Sequence, residues 1–140
     1  MTYKLLALDL DGTVMSADLV IAQEVREAIA AAQAAGVHVT IATGRMYGAT
    51  LPFAQELHIR TPLICYQGAL IRDPQTGETV HHIGMPGAPA AEAAAALLEA
   101  DVFVIAYIDE RLCIARARPD RKSTRLNSSH LKLSRMPSSA

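Results

Sequence analysis

Two aspartates, Asp9 and Asp11, lie one residue apart directly after an apolar stretch, in the run LLALDLDGTVM (residues 5–15). Because side chains alternate along an extended chain, both carboxylates are expected on the same side. Two carboxylates this close repel each other, so they must share a proton or hold a cation, and Mg²⁺ prefers such oxygen ligands. Gly12 allows a sharp turn in which backbone amides can face an anion. The pattern predicts a site for magnesium and an anion; the alternative for a lone Asp-x-Asp is an exposed turn.

The hydrophobic pattern around this motif predicts alternating strands and helices. The apolar run at residues 3–8 ends at the aspartates and predicts a strand buried on both faces. Residues 23–35 have apolar side chains at helical spacing, and Gly36 suits the position just after a helix. A β-branched strand at 37–42, a helix at 47–57 and a strand at 63–66 follow. This order predicts an α/β fold with a Rossmann-like parallel sheet.

A second polar loop, Thr43-Gly44-Arg45, follows the second predicted strand. Because ligands bind at the carboxyl ends of parallel strands, we expect this loop and the aspartate loop to meet at one edge of the sheet. Beyond Gly68 the pattern changes to a smaller α/β unit. Its predicted elements are a hairpin of strands 69–72 and 79–83 around a turn, a helix at 88–100, and strands at 102–108 and 112–117.

Composition limits the classes of function. The chain has 140 residues, of which 51% are hydrophobic and 19% charged, and this suits a globular protein with a core. A net charge of −1 and the absence of a basic stripe before residue 118 argue against nucleic-acid binding. No apolar run reaches membrane-spanning length and no signal peptide is recognisable, so we expect no membrane partner and a cytoplasmic location. The two cysteines, Cys65 and Cys113, are expected to be buried free thiols.

The last 21 residues differ from the rest in composition. Six of the seven serines and the single asparagine follow Pro119, and this segment has five basic residues and one acidic residue. The run DRKSTRLNSSH at 120–130 resembles the translation of a sequencing-library adapter, so residues 120–140 are predicted to be a non-native, disordered tail. The alternative is a basic, serine-rich disordered arm that binds an acidic partner.

The segments DLDGTV and, some thirty residues later, IATGR resemble the haloacid dehalogenase superfamily of phosphohydrolases. Within it, the chain is similar to the Cof-type branch (class IIB), whose cap domain is inserted after the third core strand. The resemblance extends over residues 3–117, and ICYQGALI is similar to the strand and turn that precede the cap. This chain has Gln67 where the family usually has asparagine. The resemblance implies a truncated core at residues 1–84 and the beginning of a cap at 85–119.

The resemblance also implies roles for the residues of both loops. Asp9 would be the nucleophile that forms an aspartyl-phosphate, and Asp11 would protonate the leaving group and then activate water. Asp9 and the main-chain carbonyl of Asp11 would hold Mg²⁺, the implied cofactor. Phosphate would be bound by the hydroxyl of Thr43 and by the loop residues Gly12, Thr13 and Gly44. Arg45 and Gln67 are candidate contacts to the substrate or cap, and for Arg45 a structural role paired with a carboxylate is equally open.

Two parts of the family's site have no counterpart in the sequence. No lysine occurs between Arg45 and Pro119, and no GDxxND-like acidic segment occurs anywhere. The expected function is therefore a magnesium-dependent phosphatase of small phosphorylated metabolites, such as sugar phosphates, present here as an incomplete fragment. The alternatives are a non-catalytic fragment that binds magnesium and phosphate, and a phosphotransferase or mutase of the same superfamily. We expect this chain to hydrolyse p-nitrophenyl phosphate at or near background.

Overall fold

The structure is a computed structural model that describes residues 3–115. Within that range the chain forms seven strands and three helices longer than one turn. In chain order they are β1 (Leu5–Leu8), α1 (Gln23–Ala34), β2 (His38–Ile41), α2 (Tyr47–Glu56), β3 (Leu63–Cys65), β4 (Leu70–Arg72), β5 (Thr79–His82), α3 (Gly87–Glu99), β6 (Val104–Ile108) and β7 (Arg111–Ala115). The predicted non-native tail at 120–140 and the end of the last predicted strand at 116–117 lie outside the described residues.

Strands β1 and β2 run parallel, with Leu5 opposite His38 and Leu8 opposite Ile41. A parallel bridge between Ala42 and Ile64 places β3 beside the end of β2. Helices α1 and α2 supply the two crossovers, so the predicted strand, helix, strand, helix, strand order and the α/β fold class are confirmed. Observed boundaries differ from the predicted ones by no more than two residues within the described range.

Antiparallel strands complete both parts of the chain. β4 pairs with β3 and β5 pairs with β4, so the predicted hairpin continues the sheet from β3. β6 and β7 form a separate antiparallel hairpin. The chain divides into two compact units, Met1–Gly84 and Met85–Ala140, which we call the first and second units.

The first unit has a continuous apolar core. Strands β2, β3 and β4 and both crossover helices contribute buried residues to it, and Leu8 of β1 packs against it partly buried. The largest side chains with almost no exposed surface are Leu10, Met15, Ile41, Leu63 and Val39. Cys65 belongs to this core, whereas Cys113 in β7 is only half-buried, and neither cysteine forms a disulfide. The prediction of buried free thiols is therefore confirmed in full for Cys65 only.

The prediction that the first strand is buried on both faces is wrong. Leu5 and Leu6 of β1 are 59% and 37% exposed. Among the described residues β1 pairs with one strand, β2, so its other edge is open. Part of its surface faces α1 across an open groove lined mostly by apolar side chains, including Leu6, Leu8 and Val25. An apolar run predicts a strand, but burial also requires neighbours on both sides.

Candidate functional site

The aspartate loop is anchored by the apolar residues between and after its carboxylates. Leu10 is fully buried, and Val14 and Met15 are also in the core, while Asp9 and Asp11 point away from it. The amide of Met15 donates to the carbonyl of Leu10 at 2.9 Å, and the amide of Val14 donates to the carbonyl of Asp9 at 3.3 Å. The apolar residues of the loop are therefore anchored in the core, and the aspartates that alternate with them face outward.

Gly12 has a φ of +72°, a conformation that side chains strongly disfavour. Its amide donates to the carbonyl of Met15 at 2.9 Å, so this N–H group is used to close the loop. Thr13 lines the groove beside α1 rather than the space next to Asp9. The structure thus places neither of these two predicted phosphate ligands at the position where Asp9 and Thr43 meet.

Thr43 lies at the end of β2 and is almost completely buried. Its amide donates to the carbonyl of Ile64 at 2.9 Å, which fixes the backbone against β3. Its hydroxyl oxygen accepts a hydrogen bond from the amide of Arg45 at 3.2 Å. Because that bond uses a lone pair of the oxygen, the hydroxyl proton is available to donate to a ligand oxygen.

Asp9 and Thr43 line one open cleft of about 410 Å³. The cleft also includes Gly44 and Gln67 from the predicted set, and its remaining lining residues are Ala42, Ile64 and Gly68. The carboxylate of Asp9 accepts a hydrogen bond from the amide of Leu10 at 2.8 Å, which orients it. Four of the predicted site residues, from three separate segments of the chain, therefore share one space.

Asp11 is held by Arg45 in a two-point ion pair. Nε of Arg45 donates to Oδ2 of Asp11 at 2.8 Å, and Nη2 donates to Oδ1 at 2.6 Å. The guanidinium also lies 5.5 Å from the centre of the Phe53 ring, which restricts its orientation. Of the two roles left open for Arg45, the structure shows the pairing with a carboxylate.

This ion pair changes the protonation of Asp11. The hydrogen bonds from Arg45 lower the pKa of the Asp11 carboxyl, and the same contact raises the pKa of Arg45. A general acid must hold a proton at working pH, so the shift runs opposite to the role expected of Asp11. In this arrangement the contact with Arg45 favours the ionised form of Asp11.

A short turn after β3 brings Gln67 to the cleft, in the segment ICYQGALI whose resemblance implied a strand followed by a turn. Residues Tyr66–Gly68 form a short 3₁₀ turn, so β3 ends at Cys65, one residue before the predicted end at residue 66. Tyr66, Gln67 and Gly68 all have positive φ angles, of 51°, 57° and 94°. Gly68 is the only one of the three whose residue type signals this conformation, and it was not predicted as a site residue.

The oxygen donors at the aspartate loop suit a hard cation. They are the Asp9 carboxylate and the main-chain carbonyl of Asp11, and hard oxygen ligands are those that Mg²⁺ prefers. Within residues 3–115 no group of three or more histidine, cysteine or acidic side chains is arranged to hold a metal. Mg²⁺ usually keeps several waters and binds through one or two carboxylates together with substrate phosphate, so a small protein donor set fits this ion.

Comparisons with known proteins agree with the geometry. The sequence model of the haloacid dehalogenase-like hydrolases matches residues 6–139. The pyridoxal phosphate phosphatase YbhA of Escherichia coli K12 is 33% identical over 112 residues, which are 80% of this chain and 41% of that protein. The chain spans 31–41% of the length of the first three curated relatives it matches.

Solved structures show the same fold. A haloacid dehalogenase-like hydrolase from Bacillus subtilis superposes with a TM-score of 0.72 at 27% identity, over 82% of this chain and 40% of that one. The subclass IIB sugar phosphatase BT4131 superposes with a TM-score of 0.65 at 26% identity, over 79% of this chain and 43% of that one. In the described part of this chain, none of the helices has the length and apolar character needed to cross a membrane.

Proposed function

Because the chain belongs to the haloacid dehalogenase-like hydrolase family, we propose that it is part of a magnesium-dependent phosphatase that acts on small phosphorylated metabolites. The observation that supports this proposal most directly is that Asp9 and Thr43 meet in one cleft. A carboxylate that can attack phosphorus and a hydroxyl that can donate to a phosphoryl oxygen come from the ends of adjacent parallel strands.

In the proposed first step, a carboxylate oxygen of Asp9 attacks phosphorus. The new bond joins this oxygen to phosphorus, and the bond from phosphorus to the leaving oxygen breaks with its electron pair on that oxygen. In the second step, water attacks the aspartyl-phosphate, loses a proton and releases orthophosphate, which regenerates the Asp9 carboxylate. Thr43 is positioned to donate a hydrogen bond to the phosphoryl group in both steps.

Asp11 would protonate the leaving alkoxide and later accept the proton from water. Its ion pair with Arg45 opposes the first of these transfers, because Arg45 favours the ionised form of Asp11. We therefore assign the described arrangement to a resting state. The cleft is open to solvent on the side of Gln67 and Gly68, and substrate could enter there.

Mg²⁺ would be held by the Asp9 carboxylate and the carbonyl of Asp11, and when bound it would offset the repulsion between carboxylate and phosphate. Small phosphate monoesters are the proposed substrates, and pyridoxal phosphate and sugar phosphates are the first candidates because relatives are named for them. A cytoplasmic location is proposed as well, supported by two cysteines that form no disulfide.

A non-catalytic fragment that binds magnesium and phosphate is the second candidate. The observation that favours it is the Arg45 ion pair, which favours the ionised form of Asp11 over the protonated form that a general acid needs. The two candidates differ in whether Asp9 becomes phosphorylated, so the first step should be measured alone. Acetyl phosphate allows this, because its weakly basic leaving group needs no proton from Asp11.

In the test, the 140-residue chain is incubated with acetyl phosphate radiolabelled in the phosphoryl group, the reaction is quenched in acid, and the label on the protein is measured. We expect a hydroxylamine-labile label that requires Mg²⁺ and is lost in Asp9→Asn. Asp18→Asn is the matched control, since Asp18 is an exposed aspartate beyond the loop, and it should retain the label. A label that survives Asp9→Asn, or no label with Mg²⁺ present, would contradict the proposed nucleophile.

A further inference from the structure

We propose that Gly44 and Gln67 are a matched pair, in which the missing side chain of Gly44 makes room for the Gln67 carboxamide to hydrogen-bond a phosphoryl oxygen in the Asp9 cleft. This inference rests on the proposed function and adds a ligand contact to it. The residues concerned are on the two loops that follow β2 and β3, and both line the cleft.

The glycine at position 44 is explained by space rather than by backbone conformation. Gly44 is not among the residues with a positive φ, so its backbone would accept a side chain. A β-carbon built on it would lie 2.5 Å from Nε2 and 3.1 Å from Cδ of Gln67. An alanine would therefore push the Gln67 carboxamide away from its present position.

Gln67 is presented by a strained turn. Tyr66 and Gln67 both have left-handed backbone conformations, at φ 51° and 57°, which residues other than glycine rarely adopt. Such strain persists only where the surroundings enforce it, and it is commonly found at ligand sites. The position of Gln67 is therefore imposed by the fold rather than left to local preference.

Two backbone hydrogen bonds enforce this turn from the neighbouring loop. The amide of Tyr66 donates to the carbonyl of Arg45 at 3.0 Å, and the amide of Gln67 donates to the carbonyl of Thr43 at 3.2 Å. The turn is thus attached to the same segment that carries the Thr43 hydroxyl. The backbones of Gln67 and Thr43 are therefore held in a fixed relation on the cleft wall.

A carboxamide suits this position chemically. Its NH₂ group donates hydrogen bonds to anionic oxygen, and it carries no charge that would repel phosphate beside the Asp9 carboxylate. Glutamate has the same length but offers only acceptors and a negative charge. A Gln67→Glu variant therefore keeps the size of the side chain and removes its ability to donate a hydrogen bond to phosphate. Asparagine keeps the amide but is shorter by one methylene group.

The test measures binding of beryllofluoride, an analogue of the aspartyl-phosphate group, to the 140-residue chain in Mg²⁺ by NMR titration. We expect Gln67→Ala and Gly44→Ala each to weaken binding by about three- to tenfold, the usual effect of losing one hydrogen bond. Gln67→Glu should weaken it further through charge repulsion, and Gln67→Asn should lie between alanine and wild type. The side-chain amide signals of Gln67 should shift on binding in the wild-type chain.

The double variant Gly44→Ala with Gln67→Ala decides whether the two residues act as a pair. If Gly44 serves to accommodate Gln67, the double variant should bind no more weakly than the weaker single variant. Additive losses would overturn the pairing, even if each single variant has an effect. Gln75→Ala and Gly48→Ala are matched controls outside the cleft, since Gln75 bonds the carbonyl of Arg60 and a β-carbon on Gly48 meets no atom within 4 Å.

Different binding results would contradict the Gln67 contact and the proposed function. Suppose that beryllofluoride binding is lost in Asp9→Asn but unchanged in Gln67→Ala, and that the Gln67 side-chain amide signals do not shift. This result would overturn the Gln67 contact but would not contradict the proposed function. No binding to the wild-type chain in Mg²⁺ would overturn both. Dispersed amide spectra of each variant, matching the wild type outside the cleft, confirm that the variants are folded.

Discussion

The two units of the chain have similar apolar content but very different burial. The first unit contains a cluster of 14 buried hydrophobic residues that links β2–β4 with α1 and α2. In the described part of the second unit, residues 85–115, no residue reaches that level of burial. Its helix α3 is rich in alanine, yet Leu97 on that helix is 43% exposed, and Phe103, just before β6, is 50% exposed. Helix propensity and apolar composition form elements, but only opposing layers of structure form a core.

The candidate site lies entirely in the unit that has the core. Leu10 between the aspartates, Ile41 before Thr43 and Leu63 in β3 are all completely buried. Each of them anchors a segment whose next polar residues line the cleft or pair beside it. The geometry of Asp9, Thr43 and Gln67 therefore depends on the packing of the first unit, and this dependence can be tested.

The largest expected difference between the units is in matched leucine substitutions. Leu63→Ala removes a fully buried side chain and should lower the free energy of unfolding by about 2–5 kcal/mol. Leu97→Ala trims a side chain that is 43% exposed and should cost less than about 1 kcal/mol. Urea unfolding can be followed by NMR through the backbone amide signals of β2 and β6, which report the stability of the first and second units separately.

Equal losses of unfolding free energy in Leu63→Ala and Leu97→Ala would contradict the difference in burial between the two units. They would show that α3 has a buried face and that the second unit has a core of its own. Beryllofluoride binding adds a functional measure, because Leu63→Ala should also weaken it by loosening β3 beneath the Gln67 turn, whereas Leu97→Ala should not.

The next largest effect on stability is expected at the C-terminal ends of α1 and α2, two sites within the first unit. After α1, Gly36 has a φ of +81°, and after α2, His58 has a φ of +53° at the same position relative to the helix end. Gly36→Ala should destabilise the chain by about 1 kcal/mol, and His58→Gly should stabilise it by a few tenths to about 1 kcal/mol. Thermal unfolding followed by circular dichroism should give shifts of opposite sign. Shifts of the same sign would mean that contacts other than the backbone conformation decide these positions.

These helix ends also show how far sequence predicts this fold. Gly36 predicted the end of α1 because its residue type matches the conformation, whereas His58 and Asp101 adopt left-handed conformations that their types do not signal. The elements and the meeting of the two polar loops followed from hydrophobic patterning and from the rule for parallel sheets. Burial of β1 did not follow, because it depends on which strands lie beside it.

The site was predictable in its residue types but not in its pairings. Asp9, Thr43, Gly44 and Gln67 were all identified from sequence motifs and are found in one cleft. The ion pair of Arg45 with Asp11 joins residues 34 positions apart, and two roles for Arg45 fitted the sequence equally well. A turn after β3 was implied by the resemblance, but the left-handed conformations of Tyr66 and Gln67 were not, because they accompany hydrogen bonds to carbonyls of the distant Thr43 loop.

Surface ion pairs should contribute much less than the core. Arg26 on α1 and Glu56 at the end of α2 form an ion pair at 2.5 Å, with side chains 38% and 41% exposed. At such exposure, solvent screening limits the contribution to about 0.2–1 kcal/mol. Arg26→Gln should lower the free energy of unfolding by no more than this, and the loss should shrink in high salt. A loss comparable to that of Leu63→Ala would mean that the first unit depends on charge as much as on packing.

The smallest expected effect concerns Asp73 in the turn between β4 and β5. Its carboxylate accepts hydrogen bonds from the amides of Thr76 and Gln75 at 2.9 and 2.7 Å, and these bonds lower the pKa of Asp73. Because this pKa is lower in the folded chain, the carboxylate stabilises the turn above the unfolded-state pKa, and this is lost as pH falls through the folded-state pKa. The exchange of the Thr76 and Gln75 amides should accelerate over that acidic range while the β2 amides remain protected. Asp73→Asn keeps an acceptor without the charge, so it should remove this pH dependence; an unchanged dependence would assign it to another group.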